Sequence, residues 1–234
     1  MSRIIFGGAT RLIHGVEHFQ RLVFGKKEAL FRKLEQGQAP LALFITCSDS
    51  RINPNLLTQT EPGELFILRS AGNLVPPHGA APSGEAATVE YALAHLKIRD
   101  VILCGHSRCG AVSALLQPQS LAALPAVRGW LAHADGVAAE VERLGAALAP
   151  EDRLTLAIER NVLRQLANLR THPPVQAALA EQRLRLHAWV YHFETGTVTA
   201  HDPASDRFVP LAEAPRQQWA AAAKAAATGG GQSI

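Results

Sequence analysis

Three short apolar runs constrain the fold more than any other feature of the sequence. They are LALFIT (41–46), ELFILR (64–69) and DVILCG (100–105). Continuous apolar runs of this length are typical of strands buried on both faces of a parallel sheet. Helical periodicity predicts amphipathic helices before and between these runs, over 10–24, 26–36, 83–98 and 110–117. Strands that alternate with helices predict an α/β fold with a central, mostly parallel sheet flanked by helices.

The second half of the chain continues with helices and a hairpin. Helices are predicted near 121–148 (broken around Pro125), 151–170 and 175–182. The segment RLRLHAWVYHFETGTVTAHD (183–202) alternates with period two around an ETGT turn, which predicts a strand hairpin. We interpret residues 1–213 as a single α/β domain and residues 214–234, rich in Ala and Gly, as a flexible tail.

Charge and hydropathy limit the possible partners and the compartment. The chain has 23 Lys and Arg against 20 Asp and Glu, a net charge of +3, and these residues are scattered rather than clustered. No apolar run approaches the roughly 18 residues that a membrane helix needs, and the N-terminus lacks the pattern of a signal peptide. We therefore predict a cytoplasmic protein that binds neither nucleic acid nor a membrane.

The chain has three cysteines, and so small and odd a number argues against a disulfide framework. Two of the three follow predicted strands. Cys47 follows the first apolar run, and His106 and Cys109 follow the third. Sites in open parallel sheets form beyond the carboxyl ends of the strands, where neighbouring strands bring these side chains together. Two thiolates and one imidazole are the ligands of a catalytic zinc site that leaves the fourth position to water. A closed site with Asp49 as fourth ligand is the alternative.

The remaining residues around Cys47 admit several interpretations. A thiol phosphatase loop places five residues between its Cys and Arg, whereas three separate Cys47 from Arg51, so this class is not favoured. Asp49 and Arg51 form either a surface ion pair or a pair in which Arg51 holds Asp49 ionised, ready to accept a hydrogen bond from a metal-bound water. Cys104 lies inside an apolar strand and is interpreted as a small buried hydrophobe.

These motifs resemble the two metal motifs of the β-class carbonic anhydrases. The matching stretches are CSDSR (47–51), EPGELFILRSAGNLVPP (61–77), ATVEYALAHL (87–96) and GHSRCGA (105–111), in the order of the family. The similarity runs from about residue 16 to residue 212. The stretches NVLRQLANLRTHPPV and LHAWVYHFETG look most like the bacterial and cyanobacterial branch, including the anhydrases that accompany cyanate degradation.

The resemblance implies the activity and the metal ligands. It implies zinc-dependent, reversible hydration of carbon dioxide to bicarbonate and a proton by a zinc-bound hydroxide, with one Zn²⁺ per subunit. Carried over by position, Cys47, His106 and Cys109 would be the ligands, and Asp49 and Arg51 the catalytic dyad. Either a carbonyl sulfide or carbon disulfide hydrolase on the same fold, or a non-catalytic zinc-binding scaffold, remains the alternative.

The resemblance also implies a substrate pocket and an assembly. Gln38, Phe66, Tyr91 and Gly110 match positions that contact or surround the substrate, in a pocket at a dimer interface. The implied assembly is a homo-oligomer built from dimers, with the N-terminal helices packing on a neighbouring subunit.

Two departures from the family pattern bear on the site. Ser70 stands where the family usually has Asn after the Arg of the R-x-x-G-N loop. Phe44 stands where one subgroup has a tryptophan that forms part of an inhibitory bicarbonate site. Because Phe44 has no indole N–H, we predict no such site and an open, water-bound zinc at neutral pH.

Overall fold

A computed structural model of the chain describes residues 8–214, and these fall into two compact units, residues 8–39 and 40–214. The first unit contains α1 (Gly8–His18), a π-helical stretch (Phe19–Val23), a 3₁₀ turn (Phe24–Lys27) and α2 (Glu28–Glu35). The two helices predicted here are confirmed, with an irregular junction between them. The segment predicted to be a tail lies outside the described residues, apart from Ala214.

The second unit is built on a six-stranded mixed sheet. Its strands are β1 (Ala42–Cys47), β2 (Leu65–Ser70), β3 (Asp100–His106), β4 (Arg185–Tyr191), β5 (Val198–Asp202) and β6 (Arg207–Pro210). The strand order is β2-β1-β3-β4-β5-β6. The first four strands are parallel, and β5 and β6 continue the sheet in antiparallel fashion. The predicted α/β class and the predicted hairpin of β4 and β5 are confirmed.

Helices surround this sheet and match most of the predicted ones. They are α3 (Pro54–Thr58), α4 (Gly84–Glu90), α5 (Gly110–Leu116), α6 (Pro125–Leu131), α7 (Val137–Gly145), α8 (Pro150–Leu169) and α9 (Pro173–Ala180). Ser83 caps α4, because its side chain accepts a hydrogen bond from the amide of Ala86 at 3.2 Å. The helix predicted over 121–148 is divided further than expected. It breaks again at Gly136, whose φ of +86° interrupts the helical backbone.

Burial explains why β1 and β3 form the centre of the sheet. Every residue of β1 is buried, and only Asp100 of β3 is partly exposed. Helix α8 packs very closely on β3, since a Cβ atom on Gly105 would lie only 2.8 Å from Cγ2 of Val162. β1 and β3 run side by side in parallel, with Thr46 paired to Cys104. Their carboxyl ends, at Cys47 and His106, therefore open at the same edge of the sheet.

No helix in the described part of the chain is both long and apolar enough to cross a membrane.

Candidate metal centre

The three predicted ligands meet at this edge of the sheet. Cys47 is the last residue of β1, His106 is the last residue of β3, and Cys109 directly precedes α5. Their ligand atoms all lie within 4.8 Å of one another, and the two Sγ atoms are 3.9 Å apart. All three residues are buried. The fold thus collects a Cys₂His set from two segments that are separated by about sixty residues.

The imidazole of His106 is arranged as a metal ligand would be. Its Nδ1 lies 2.8 Å from the carbonyl oxygen of Ser107, and because a carbonyl oxygen only accepts, Nδ1 carries the hydrogen. This leaves Nε2 with its lone pair, buried and without a hydrogen-bond partner. A buried nitrogen that has neither a hydrogen-bond donor nor a metal ion as partner costs free energy. A cation held by the neighbouring thiolates would satisfy this atom.

The two thiols differ in their surroundings. Cys47 Sγ accepts backbone N–H groups from Asp49 at 3.4 Å and from Gly72 at 3.3 Å. The Cys109 thiol foremost, then His106 and these amides, lower the pKa of Cys47 from its usual range against the opposing effect of burial. The adjacent Cys47 sulfur, together with burial, raises the pKa of Cys109. Two sulfurs this close cannot both ionise without a positive charge between them, and a divalent cation supplies that charge.

Asp49 and Arg51 form a tight pair beside these ligands. Arg51 donates from Nε to Oδ1 of Asp49 at 2.9 Å and from Nη2 to Oδ2 at 2.7 Å. The backbone N–H of Arg51 also donates to Oδ1 at 2.9 Å. This contact with Arg51 holds the pKa of the Asp49 carboxyl well below its usual range. Oδ2 of Asp49 lies 3.9 Å from Nε2 of His106, so an ionised carboxylate borders the space that the three ligands enclose.

Arg69 fixes the loop that carries this pair, a role that sequence reasoning missed. Its Nε donates to the carbonyl oxygen of Cys47 at 3.0 Å. Its Nη2 donates to the carbonyl oxygens of Asp49 at 2.6 Å and of Ile52 at 3.0 Å. One planar guanidinium thus holds three carbonyls of the turn after β1. Its position at the end of β2, beside β1, is the only signal the sequence offered.

Side chains of α8 hold the neighbouring loop that contains Gly72. Asn161 donates to the carbonyl oxygen of Gly72 at 2.9 Å. Gln165 accepts from the amide of Val75 at 2.9 Å, and Asn168 donates to the Val75 carbonyl at 3.0 Å. Sequence reasoning missed this function too. The signal was three amide side chains on one face of a helix, two of them fully buried, since buried amides need partners.

A turn after β4 also contacts the segment that carries two of the candidate ligands. Glu194 contacts Ser107 and Arg108, which lie between two of the ligands, and the ring of Phe193 lies 5.0 Å from the His106 ring. The sequence placed this ETGT segment in a turn between two strands and in a stretch that resembles the family, but it indicated no contact with the ligands.

Three other residues that the sequence analysis singled out are not part of the ligand set. Cys104 is fully buried within β3, and burial raises its pKa to about 12, as expected of a small hydrophobe. Phe44 is fully buried, and its ring meets the ring of Trp189 edge-on at 6.3 Å. Ser70 pairs in register with Cys47 and donates to the carbonyl oxygen of Leu74 at 2.8 Å. The Ser70 side chain, which is shorter than the Asn usual in the family, therefore has its own hydrogen-bond partner.

The residues expected around the substrate lie at different distances from the triad of Cys47, His106 and Cys109. Phe66 and Tyr91 stack on each other at 5.9 Å, but Phe66 precedes Ser70, the register partner of Cys47, by four residues. It therefore lies about 13 Å from the level of Cys47 along the sheet. Gly110 is the first residue of α5, directly after Cys109. Gln38 belongs to the separate unit of residues 8–39, and its role stays a prediction.

Comparisons with known proteins agree with the resemblance. The family model for carbonic anhydrase matches residues 42–198. A carbonic anhydrase of Pseudomonas aeruginosa is 50% identical over 204 residues, which cover 87% of this chain and 92% of that protein. The solved structure of the β-carbonic anhydrase CcaA is 45% identical, with a TM-score of 0.84, and the match covers 86% of this chain and 91% of that one. One of two tetrameric β-carbonic anhydrases of the fungus Sordaria macrospora is 29% identical, with a TM-score of 0.65 and coverage of 82% and 92%. The chain therefore belongs to the carbonic anhydrase family, and within that family to the β class.

Proposed function

We propose that this protein is a zinc enzyme that catalyses the reversible hydration of carbon dioxide to bicarbonate and a proton. The observation that carries the proposal is the buried set of Cys47, His106 and Cys109, whose imidazole presents an unpaired Nε2 to two thiols. Two soft sulfur donors favour zinc over magnesium or calcium, and three protein ligands leave a position for water. When bound, the metal lowers the pKa of its water to about 7 and so supplies a nucleophile near neutral pH.

The chain's own residues orient that reaction. Arg51 keeps Asp49 ionised and turned toward the centre, so that Asp49 accepts a hydrogen bond from the reacting water and fixes its direction. The two side-chain hydrogen bonds from Arg51 and the one from its backbone N–H oppose a swing of Asp49 onto the metal. This supports the open arrangement that the sequence predicts at neutral pH. The burial of Phe44 against Trp189 supports the absence of an inhibitory bicarbonate site there.

Carbon dioxide needs a small apolar niche and few polar contacts. The stacked rings of Phe66 and Tyr91 offer such a surface, and Tyr91 is 45% exposed within one chain. Because Phe66 lies far from Cys47 along its own sheet, we propose that these two rings line the pocket of a neighbouring subunit. We assign Gln38 and the amide of Gly110 to contacts with the substrate or bicarbonate oxygens.

The proposed pocket requires an assembly, and the N-terminal unit supports one. None of the residues in α1 and the turns after it is buried, and apolar side chains there remain open to solvent. These include Leu12 (72% exposed), Ile13 (57%), Val16 (55%) and Leu22 (55%). Several exposed large apolar side chains on one short segment are typical of an interaction site. We propose that it packs on a neighbouring subunit in a cytoplasmic homo-oligomer built from dimers. Sedimentation equilibrium should give an even multiple of the 25.1 kDa chain mass, and a monomer would contradict this.

Metal analysis of two cysteine variants tests the site directly. The purified protein should contain about one zinc per chain, and Cys47→Ala should lose most of it. Cys104→Ala removes a buried thiol from β3, outside the triad, and is the matched control that should keep its zinc. Equal zinc content in both variants would refute the ligand assignment.

A zinc-loaded protein that hydrolyses carbonyl sulfide or carbon disulfide but does not hydrate carbon dioxide would support the related hydrolase instead. Inactivity toward all three substrates would support a non-catalytic scaffold.

A further inference from the structure

The turn after β4 forms hydrogen bonds with the segment between two of the three ligands. Oε2 of Glu194 accepts a hydrogen bond from the hydroxyl of Ser107 at 2.8 Å. Oε1 accepts one from Nε of Arg108 at 2.7 Å. Ser107 and Arg108 are the two residues that separate His106 from Cys109. One carboxylate therefore holds both linker residues of the ligand pair.

The turn itself is seated against the site. The backbone N–H of Phe193 donates to the Ser107 hydroxyl oxygen at 2.9 Å, so this hydroxyl both donates to and accepts from the turn. The Phe193 ring lies 5.0 Å from the His106 ring, and the guanidinium carbon of Arg51 lies 4.8 Å from its centre. These contacts place Glu194 at a defined distance from the ligand segment.

The segment of Ser107 and Arg108 needs these contacts because its backbone is strained. Arg108 has a φ of +54°, in the left-handed region that residues with a side chain adopt at a cost. This conformation turns the chain so that His106 and Cys109 face the same space. The Arg108 carbonyl oxygen is held by Nη2 of Arg51 at 3.1 Å, and its side chain is held by Glu194. Strained backbone persists when its surroundings determine it in this way.

We propose that Glu194 is a positioning residue for the metal centre. It sets the spacing of His106 and Cys109 through Ser107 and Arg108, and thereby sets the affinity for the metal. The inference rests on the proposed function only in taking the triad as a zinc site. Glu194 is separated from these partners by more than eighty residues, so the contact is visible only in the fold.

A role in metal affinity differs measurably from an ordinary surface ion pair. The Glu194 side chain is 39% exposed, and exposed pairs contribute little to stability. Loss of a residue that orients a ligand typically weakens metal binding about 10- to 100-fold. We therefore expect Glu194→Ala to weaken zinc binding by this factor while the unfolding temperature of the metal-free protein stays close to that of the wild type.

The test is a zinc competition titration of the full chain against a chromophoric chelator. Glu194→Gln keeps the shape and one accepting oxygen but not the charge, so its affinity should lie between those of the wild type and Glu194→Ala. Glu181→Ala is the matched control, since Glu181 also pairs with an arginine, Arg183, at the protein surface. It should bind zinc as the wild type does. In a Ser107→Ala background, Glu194→Ala should reduce the zinc affinity by a smaller factor than in the wild type, because one of the two contacts of Glu194 is already gone.

The outcomes separate this inference from the proposed function. Wild-type zinc affinity in Glu194→Ala would overturn the inference, as would a loss no larger than that of Glu181→Ala. If Glu194→Ala does not fold, the Gln variant decides on the same criterion. A wild type that binds zinc tightly but does not hydrate carbon dioxide would refute the function and leave the positioning role standing.

Discussion

Replacement of Arg69 by methionine should loosen the loop that carries Cys47 and Asp49. The change removes three hydrogen bonds to carbonyl oxygens, at 3.0, 2.6 and 3.0 Å, and keeps most of the aliphatic length. A hydrogen bond from a charged donor contributes about 1.5–3 kcal/mol, and bonds from one group do not add fully. Because Arg69 is exposed and water competes for its donors, we expect the free energy of unfolding to fall by about 1–3 kcal/mol.

Urea unfolding of the metal-free protein at one fixed chain concentration measures this loss, since unfolding of an oligomer depends on concentration. Arg153→Met is the matched control. Arg153 pairs with Glu142, whose side chain is 68% exposed, so its loss should cost less than about 1 kcal/mol. Arg69→Lys should recover only part of the loss, because an ammonium lacks the planar fork of donors. Equal stability of Arg69→Met and Arg153→Met would refute the argument that Arg69 fixes the loop.

Three further substitutions probe the packing, the dyad and the far edge of the sheet. Gly105→Ala should lower the free energy of unfolding by about 1–3 kcal/mol, because its Cβ would lie 2.8 Å from Cγ2 of Val162; unchanged urea unfolding would contradict the close packing of α8. Asp49→Asn should lower kcat about 10- to 100-fold with full zinc content, and wild-type kcat in stopped-flow assays would exclude Asp49 from the reaction. Burial raises the pKa of Asp100, but hydrogen bonds from His187 and Arg185 outweigh it and lower that pKa to about 2. Because this pKa is depressed in the folded protein, its stabilisation is present above about pH 4 and is lost as the pH falls toward 2. Asp100→Asn should therefore cost up to about 2 kcal/mol at pH 7 and progressively less as the pH falls below about 4, and a cost independent of pH in urea unfolding would contradict this.

The parts of the structure that could be predicted are those that depend on local pattern. β1 and β3 were predictable because LALFIT and DVILCG are mostly apolar or β-branched, and each observed strand begins and ends within one residue of its run. The triad could be predicted because Cys47 and His106 directly follow these runs or their glycine, and neighbouring parallel strands bring their carboxyl ends together. β6 escaped prediction because RFVP is only four residues long, and the break at Gly136 because a single glycine does not reveal its φ.

The residues that support the site could not be predicted because they act across long stretches of chain. Arg69 contacts carbonyls that lie 17 to 22 residues earlier, and Asn161 contacts Gly72 at a separation of 89 residues. Glu194 reaches Ser107 at a separation of 87. A backbone carbonyl has no side-chain signature, so its partner is visible only when the fold brings the two together.

Stopped-flow hydration of carbon dioxide at pH 8, followed with a pH indicator on zinc-quantified protein, shows whether this protein is a zinc-dependent carbonic anhydrase. Wild-type protein should turn over rapidly in proportion to its zinc content, and Cys47→Ala should show only the uncatalysed rate. A zinc-loaded wild type without activity, or a Cys47→Ala variant as active as the wild type, would contradict zinc-dependent hydration of carbon dioxide.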